Sequence, residues 1–205
     1  MHKEKNMIES KKELKEWLDI DKNNLNIRHF WIQYLTGSEF AVIYSYMWIL
    51  RHLEYYISRK DSNKLYFLPY LIFYILHRRW RIKTQIHLGP GDAEKGFHIV
   101  HLGFFRSYGI AHFGENCTVL PMTLFGKKTP DVPDRNQIIV GDNCYFGTGV
   151  TVLAPCKIGN NVVVAAGSVI TCKEIPDNVI VAGVPARIIK NNNKLNMKTN
   201  MYRGG

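Results

Sequence analysis

Four of the chain's eight histidines fall between residues 87 and 112, and histidine is the side chain whose ordinary pKa suits proton transfer near neutral pH. His98 and His101 lie in "GFHIVH"; three residues apart on a strand, they project to opposite faces and do not act as one unit. His87 stands in "QIHLGPG", while His112 has no motif partner. Taken singly, a histidine is more often a structural residue than a base. No Cys or Ser sits in a nucleophile motif, so covalent catalysis is not supported. The spacing also argues against a metal centre. Cys117, Cys144, Cys156 and Cys172 lack close pairing, and these histidines are three or eleven residues apart.

The elements that must position these side chains have an unusual period. In "VGDNCYFGTGVTVLAPCKIGNNVVVAAGSVIT" an aliphatic or aromatic residue returns every sixth position, at Val140, Phe146, Val152, Ile158, Val164 and Ile170. A helix repeats every three or four residues and a strand every two, so neither explains six. The same phase starts at Phe113, Val119 and Phe125. Four residues after these positions comes something compact: Cys117, Thr123, Cys144, Val150, Cys156, Val162 and Ser168. A triangular coil of three short strands per turn requires this pair of constraints, and hexapeptide repeats are a signature of parallel β-helices. Glycine and asparagine in "GDN", "GTG" and "GNN" supply corners that tolerate positive φ. Cys144 and Cys156 fall in the compact phase and read as buried thiols in a reducing compartment.

The predicted fold is mainly β, a β-helix over residues 84–190 with an N-terminal α-helical region over 1–83 covering one end. Ser10 and Glu13 have capping-box spacing, and Ser38 is a second candidate cap. The segment 127–138, "KKTPDVPDRNQI" within it, cannot fit inside a turn and must project as a loop, where binding residues tend to sit. Prolines in "EIPDNVIVAGVPARIIK" stop the winding, and 191–205 reads as a flexible basic tail, disordered or laid across a neighbouring subunit.

The formal charge of +10 divides as +6 over residues 1–83, +1 over 84–190 and +3 over 191–205, so the basic excess lies outside the repeat. With no zinc finger, helix-turn-helix or RNA-binding signature, nucleic acid is not expected as a partner. "MHKEKNMIES" lacks the apolar core of a signal peptide, which predicts a cytoplasmic protein. "LYFLPYLIFYIL" is too short to span a membrane, but followed by "HRRWRIK" it could lie on the inner, anionic membrane surface; the alternative is a buried or subunit-contacting helix.

"IHLGPGDAEKGFHIVHLG", the coils after Phe113 and the exit "AGVPARII" resemble the left-handed β-helix acyltransferases, specifically the serine acetyltransferase branch and its relatives in capsule and exopolysaccharide O-acetylation. The resemblance covers residues 84–190 and extends only loosely to the helices, through "RHLEYY". It implies a homotrimer that holds acetyl-CoA between adjacent β-helices, and direct acetyl transfer with His101 as general base. It implies that Thr148 in "FGTG" and Ala166 in "AAGS" flank the pantetheine arm, and that Arg187 and Lys190 in "ARIIK" meet the CoA phosphates.

Departures from the serine-specific pattern are informative. The acidic residue before the base is Val100 here, the aspartate of the early coil is Gln85, and the Arg-His pair of the loop is Arg135 and Asn136. An amino-acid ammonium needs a carboxylate partner that valine cannot supply. "VHLGF" instead resembles the polysaccharide-modifying relatives, and Gln85, Arg135 and Asn136 suit an uncharged sugar hydroxyl; His87 matches a histidine of the family's early coil and is either structural or near the site, where it would bind substrate. The competing readings are a serine O-acetyltransferase of cysteine biosynthesis and a non-catalytic trimeric scaffold.

Overall fold

The sixfold residues from Phe113 to Ile170 all turn inward, at most 2% exposed, and the compact set four residues behind them is at most 4% exposed. In the computed structural model, which describes residues 7–133 and 137–192, these positions line a three-sided prism. The first sheet holds β1 (Ile86–His87), β3 (Phe105–Arg106), β6 (Thr123–Lys127), β9 (Thr151–Ala154) and β12 (Val169–Ile170). The second holds β4 (Ala111–Phe113), β7 (Ile138–Val140), β10 (Cys156–Ile158) and β13 (Glu174–Ile175). The third holds β2 (His98–Ile99), β5 (Thr118–Val119), β8 (Tyr145–Phe146), β11 (Val163–Val164), β14 (Val179–Gly183) and β15 (Ala186–Asn191).

Neighbouring strands are parallel, and the register stacks like on like: Val140 lies between Phe113 and Ile158, Phe146 between Val119 and Val164. Inside, the rings of Phe113 and Phe125 are 4.8 Å apart and those of Phe125 and Phe146 5.2 Å apart, edge to face. The corners take positive φ at a glycine or an asparagine, as expected, and divide the labour between the two residue types. In "GDN" and "GNN" the asparagines take positive φ, Asn143 at 57° and Asn161 at 56°. The glycines serve close stacking instead: a Cβ on Gly141 would stand 2.5 Å from Asn160 Oδ1 and 2.8 Å from the Gly159 carbonyl carbon. Gly149 of "GTG" does adopt positive φ, at 74°.

Winding ends in an antiparallel return, β15 on β14. The first two residues of the expected tail, Asn191 and Asn192, are held against the coil. Asn191 pairs with Val179, and the buried Asn192 donates through Nδ2 to the Asn161 carbonyl at 2.8 Å.

The other end is covered by α1 (Lys11–Asn24), α2 (Phe30–Leu35), α3 (Glu39–Arg59) and α4 (Phe67–Thr84). The Glu13 amide donates to Ser10 Oγ at 3.1 Å, so the first cap forms. Ser38 precedes α3 but its side chain makes no capping bond. Helix α3 is the fastener. Its Arg51 is wholly buried and donates to Asp21 Oδ2 (3.0 Å), Glu54 Oε2 (3.1 Å) and the Ala93 and Glu94 carbonyls (2.8 and 3.0 Å). Glu54 in turn accepts from the Gly91 amide at 2.8 Å. One turn back, Tyr46 Oη and His77 Nε2 of α4 both reach the Leu88 carbonyl, at 2.9 and 3.0 Å.

Two outcomes follow from these buried groups. Arg51→Ala strands two buried carboxylates, and urea unfolding should register a loss of about 3–5 kcal/mol. Burial lowers the His77 pKa to about 4, so between that value and the ordinary ~6.5 the unfolded chain binds the extra proton. Stability should therefore fall as pH drops through this window, and His77→Gln should flatten that part of a Tm-against-pH curve.

Candidate active site

Between β2 and β3 the chain turns through residues 100–104, and this turn carries His101. The later coils stack equivalent turns on it. The Met122 amide donates to the Phe104 carbonyl (2.6 Å), Gly149 to Pro121 (3.1 Å) and Gly167 to Thr148 (2.8 Å), and the Gly183 amide reaches Ser168 Oγ (3.3 Å). One edge of the prism thus runs from His101 past Thr148 and Ala166 to Gly183. At the usual spacing of adjacent strands, its four steps span about 19 Å.

The His101 side chain is half exposed, and its Nδ1 lies 2.8 Å from Oε1 of Glu39, the first residue of α3. The other Glu39 oxygen accepts from the Leu102 amide at 3.2 Å. A carboxylate only accepts, so in the neutral ring the proton sits on Nδ1 and the lone pair on Nε2. That is the form a general base requires.

Glu39 is the residue the sequence did not disclose. The acidic partner missing at Val100 and Gln85 arrives from a helix 62 residues upstream, and nothing in its local sequence marks it.

The other candidates are dispersed. Gln85 caps α4 with a left-handed φ of 59°, and its carbonyl accepts from the Phe105 amide at 3.1 Å, which places it beside the His101 turn. His87 lies on the outer side of the first sheet, level with Arg106. Its pKa is pushed down by burial and then by the charges of Arg81 and Arg106. His98 is held at about 4 by burial and by His101, which makes it a neutral neighbour. His112 is buried and bonded to the Gly91 carbonyl at 3.2 Å, with Glu94 3.4 Å from its other nitrogen, a bracing role. Arg135 and Asn136 lie outside the described residues.

Thr148 and Ala166 are exposed on the edge. Backbone packs tightly between them, because a Cβ on Gly147 would stand 2.6 Å from the Ala166 nitrogen. Arg187 and Lys190 are exposed on β15 at the far end, and Arg187 lines an open cleft of about 310 Å³ there with Glu174 and Val181. Among the described residues, no group of three or more His, Cys, Asp or Glu side chains converges as a metal site would require.

Residues 137–172 match the family described as bacterial transferase hexapeptide (six repeats). The galactoside O-acetyltransferase of Lactococcus lactis subsp. lactis (strain IL1403) is 36% identical over 92 residues, 42% of this chain and 43% of that protein. The chain spans less than half the length of the curated relatives it matches. The crystal structure of Neisseria gonorrhoeae serine acetyltransferase aligns over 93% of this chain and 71% of its own, with a TM-score of 0.61 and 20% identity. That of serine acetyltransferase from Brucella abortus strain S19 in complex with coenzyme A covers 88% and 69%, with a TM-score of 0.59 and 22% identity. Together with the three sheets, these likenesses make the fold a left-handed β-helix of hexapeptide repeats behind N-terminal helices.

If Glu39 fixes the histidine as described, Glu39→Ala should release its tautomer. Long-range proton–nitrogen NMR above neutral pH should then show His101 shifting from the Nδ1–H form toward the Nε2–H form that free imidazoles favour.

Proposed function

We propose that the protein is an acetyl-CoA-dependent O-acetyltransferase acting on a hydroxyl of a sugar, in the assembly of a capsular or exopolysaccharide. The observation that carries this reading is the His101–Glu39 pair at one end of an edge bordered by Thr148 and Ala166. His101 Nε2 takes the proton of the acceptor hydroxyl as its oxygen attacks the thioester carbonyl. The acetyl C–S bond then breaks, and the imidazolium returns the proton to the departing CoA thiolate. Glu39 holds the ring in the required tautomer and faces the imidazolium as its charge forms. The pantetheine arm runs along the edge, and Arg187 and Lys190 meet the CoA phosphates at its far end. Gln85, Arg135 and Asn136 serve the acceptor.

A sugar fits better than serine. Both Glu39 oxygens are engaged, by His101 and by the Leu102 amide, so Glu39 is not free to pair with an ammonium group. The galactoside O-acetyltransferase relative supports a sugar acceptor. The half-exposed His101 is left on an open edge by a single chain, which favours a homotrimer whose neighbouring β-helix closes the groove.

Among the described residues no helix is long and apolar enough to cross a membrane. Helix α4 exposes Leu68, Leu71, Ile72 and Ile75, contains no acidic residue and ends in Arg78, Arg79, Arg81 and Lys83. This face suits peripheral contact with an anionic membrane from the cytoplasmic side. Four unpaired thiols agree with that compartment.

The test is thiol release from acetyl-CoA with L-serine and with a panel of nucleotide sugars and oligosaccharides. A sugar-dependent rate is expected, lowered about 10²–10⁴-fold by His101→Ala, with serine inert. Serine-dependent release would make it a serine O-acetyltransferase, and absence of acetyl-CoA binding would leave a scaffold.

A further inference from the structure

Next to the His101 turn the outer side of the first sheet carries a concentration of positive charge that the transfer step does not use. Arg81, in the last turn of α4, lies with its guanidinium carbon 4.1 Å above the Tyr108 ring. Its Nε is buried with no hydrogen-bond partner among the described residues. The Tyr108 ring also stacks toward His77, with centroids 6.5 Å apart. The amides of Ser107 and Tyr108 both donate to the His87 carbonyl at 3.0 Å, which locks this shelf to β1.

On the neighbouring strand, exposed Arg106 stands level with His87, and the His87 ring is 6.4 Å from Phe104 of the His101 turn. Neither guanidinium has a carboxylate partner among the described residues. The fields of both press on His87, which stays neutral with one N–H to offer. Arg81 and Arg106 both bear electrostatically on His87, so an anion bound at His87 would meet favourable charge from both. The His87 ring borders Phe104 of the turn that carries His101, so an anion held at His87 would lie next to that turn.

We propose that Arg81, Arg106 and His87 form an oxyanion subsite that receives a phosphate or carboxylate carried by the acceptor sugar, so that the substrate is an anionic rather than a neutral glycan unit. This rests on the acetyl-transfer reading for its purpose, but the subsite itself can be tested without turnover.

The measurement is calorimetric titration of the full chain, in phosphate-free buffer, with galactose, galactose 1-phosphate and galacturonate. At least about tenfold tighter binding of one or both anionic sugars than of galactose is expected, weakened about tenfold by Arg106→Gln and by Arg81→Gln. Tightening by galactose 1-phosphate alone identifies phosphate, and tightening by both identifies a general oxyanion site. Arg106 is exposed, so its variant separates loss of the subsite from loss of the fold. Equal or undetectable binding of the three sugars, or no change in Arg106→Gln, overturns the proposal. Anion binding that survives while acetyl-CoA turns over with no acceptor would retain the subsite and remove the acetyl-transfer reading.

Discussion

Arg51 is the contact on which the arrangement turns. A guanidinium without access to water is tolerable only when its donors are satisfied by charge and carbonyl together, and this one binds Asp21, Glu54 and two carbonyls of the first coil, with its carbon 4.7 Å over the Trp17 ring. Burial raises the pKa of both carboxylates while the cation pulls them back, so neither acid is comfortable without it. Such a cluster adds little to stability compared with apolar packing, but it is unforgiving about register: few other placements of α3 on the coil would satisfy all the donors. Glu39 stands twelve residues up the same helix, about 18 Å along its axis, and its meeting with His101 depends on that register.

The helical region is therefore more than a cover for an exposed end. It closes the prism with Tyr46, Met47 and Leu50, which pack into the same core as Ile86, Leu88 and Phe97, and it supplies the carboxylate that the coils lack. Structural neighbours at 20–22% identity share the fold, and in this chain the acid facing the histidine comes from a helix rather than from the coil that carries the histidine. The electrostatics of the turn and the sequence of the turn are consequently separable.

That separation explains what could be read from the sequence. The phase from Phe113 to Ile170 was legible because each inward position is decided locally, by whether one large or one compact side chain fits a given level of the prism. The first coil was less so. Phe105 pairs with Thr123, two residues short of Phe125, so the aromatic residue there occupies the compact phase, and helix side chains rather than the repeat fill the end of the core. His101 was singled out through its motif, but its contact with Glu39 spans 62 residues and no periodicity encodes it. The end of the coil was misjudged for a similar reason: Asn191 and Asn192 are held by antiparallel pairing and by a bond to the Asn161 carbonyl, neither of which leaves an apolar pattern.

Regular stacking along the His101 edge also makes the molecule a ruler. Each coil advances by about one strand spacing, about 4.8 Å, and the close glycine contacts at Gly141 and Gly147 leave little freedom to stretch it. Whatever lies along that edge is measured in whole coils. Gain or loss of a coil between His101 and Gly183 would preserve the chemistry of each corner while changing the gauge between the two ends, so the span of the edge is recorded in the number of turns rather than in any single side chain.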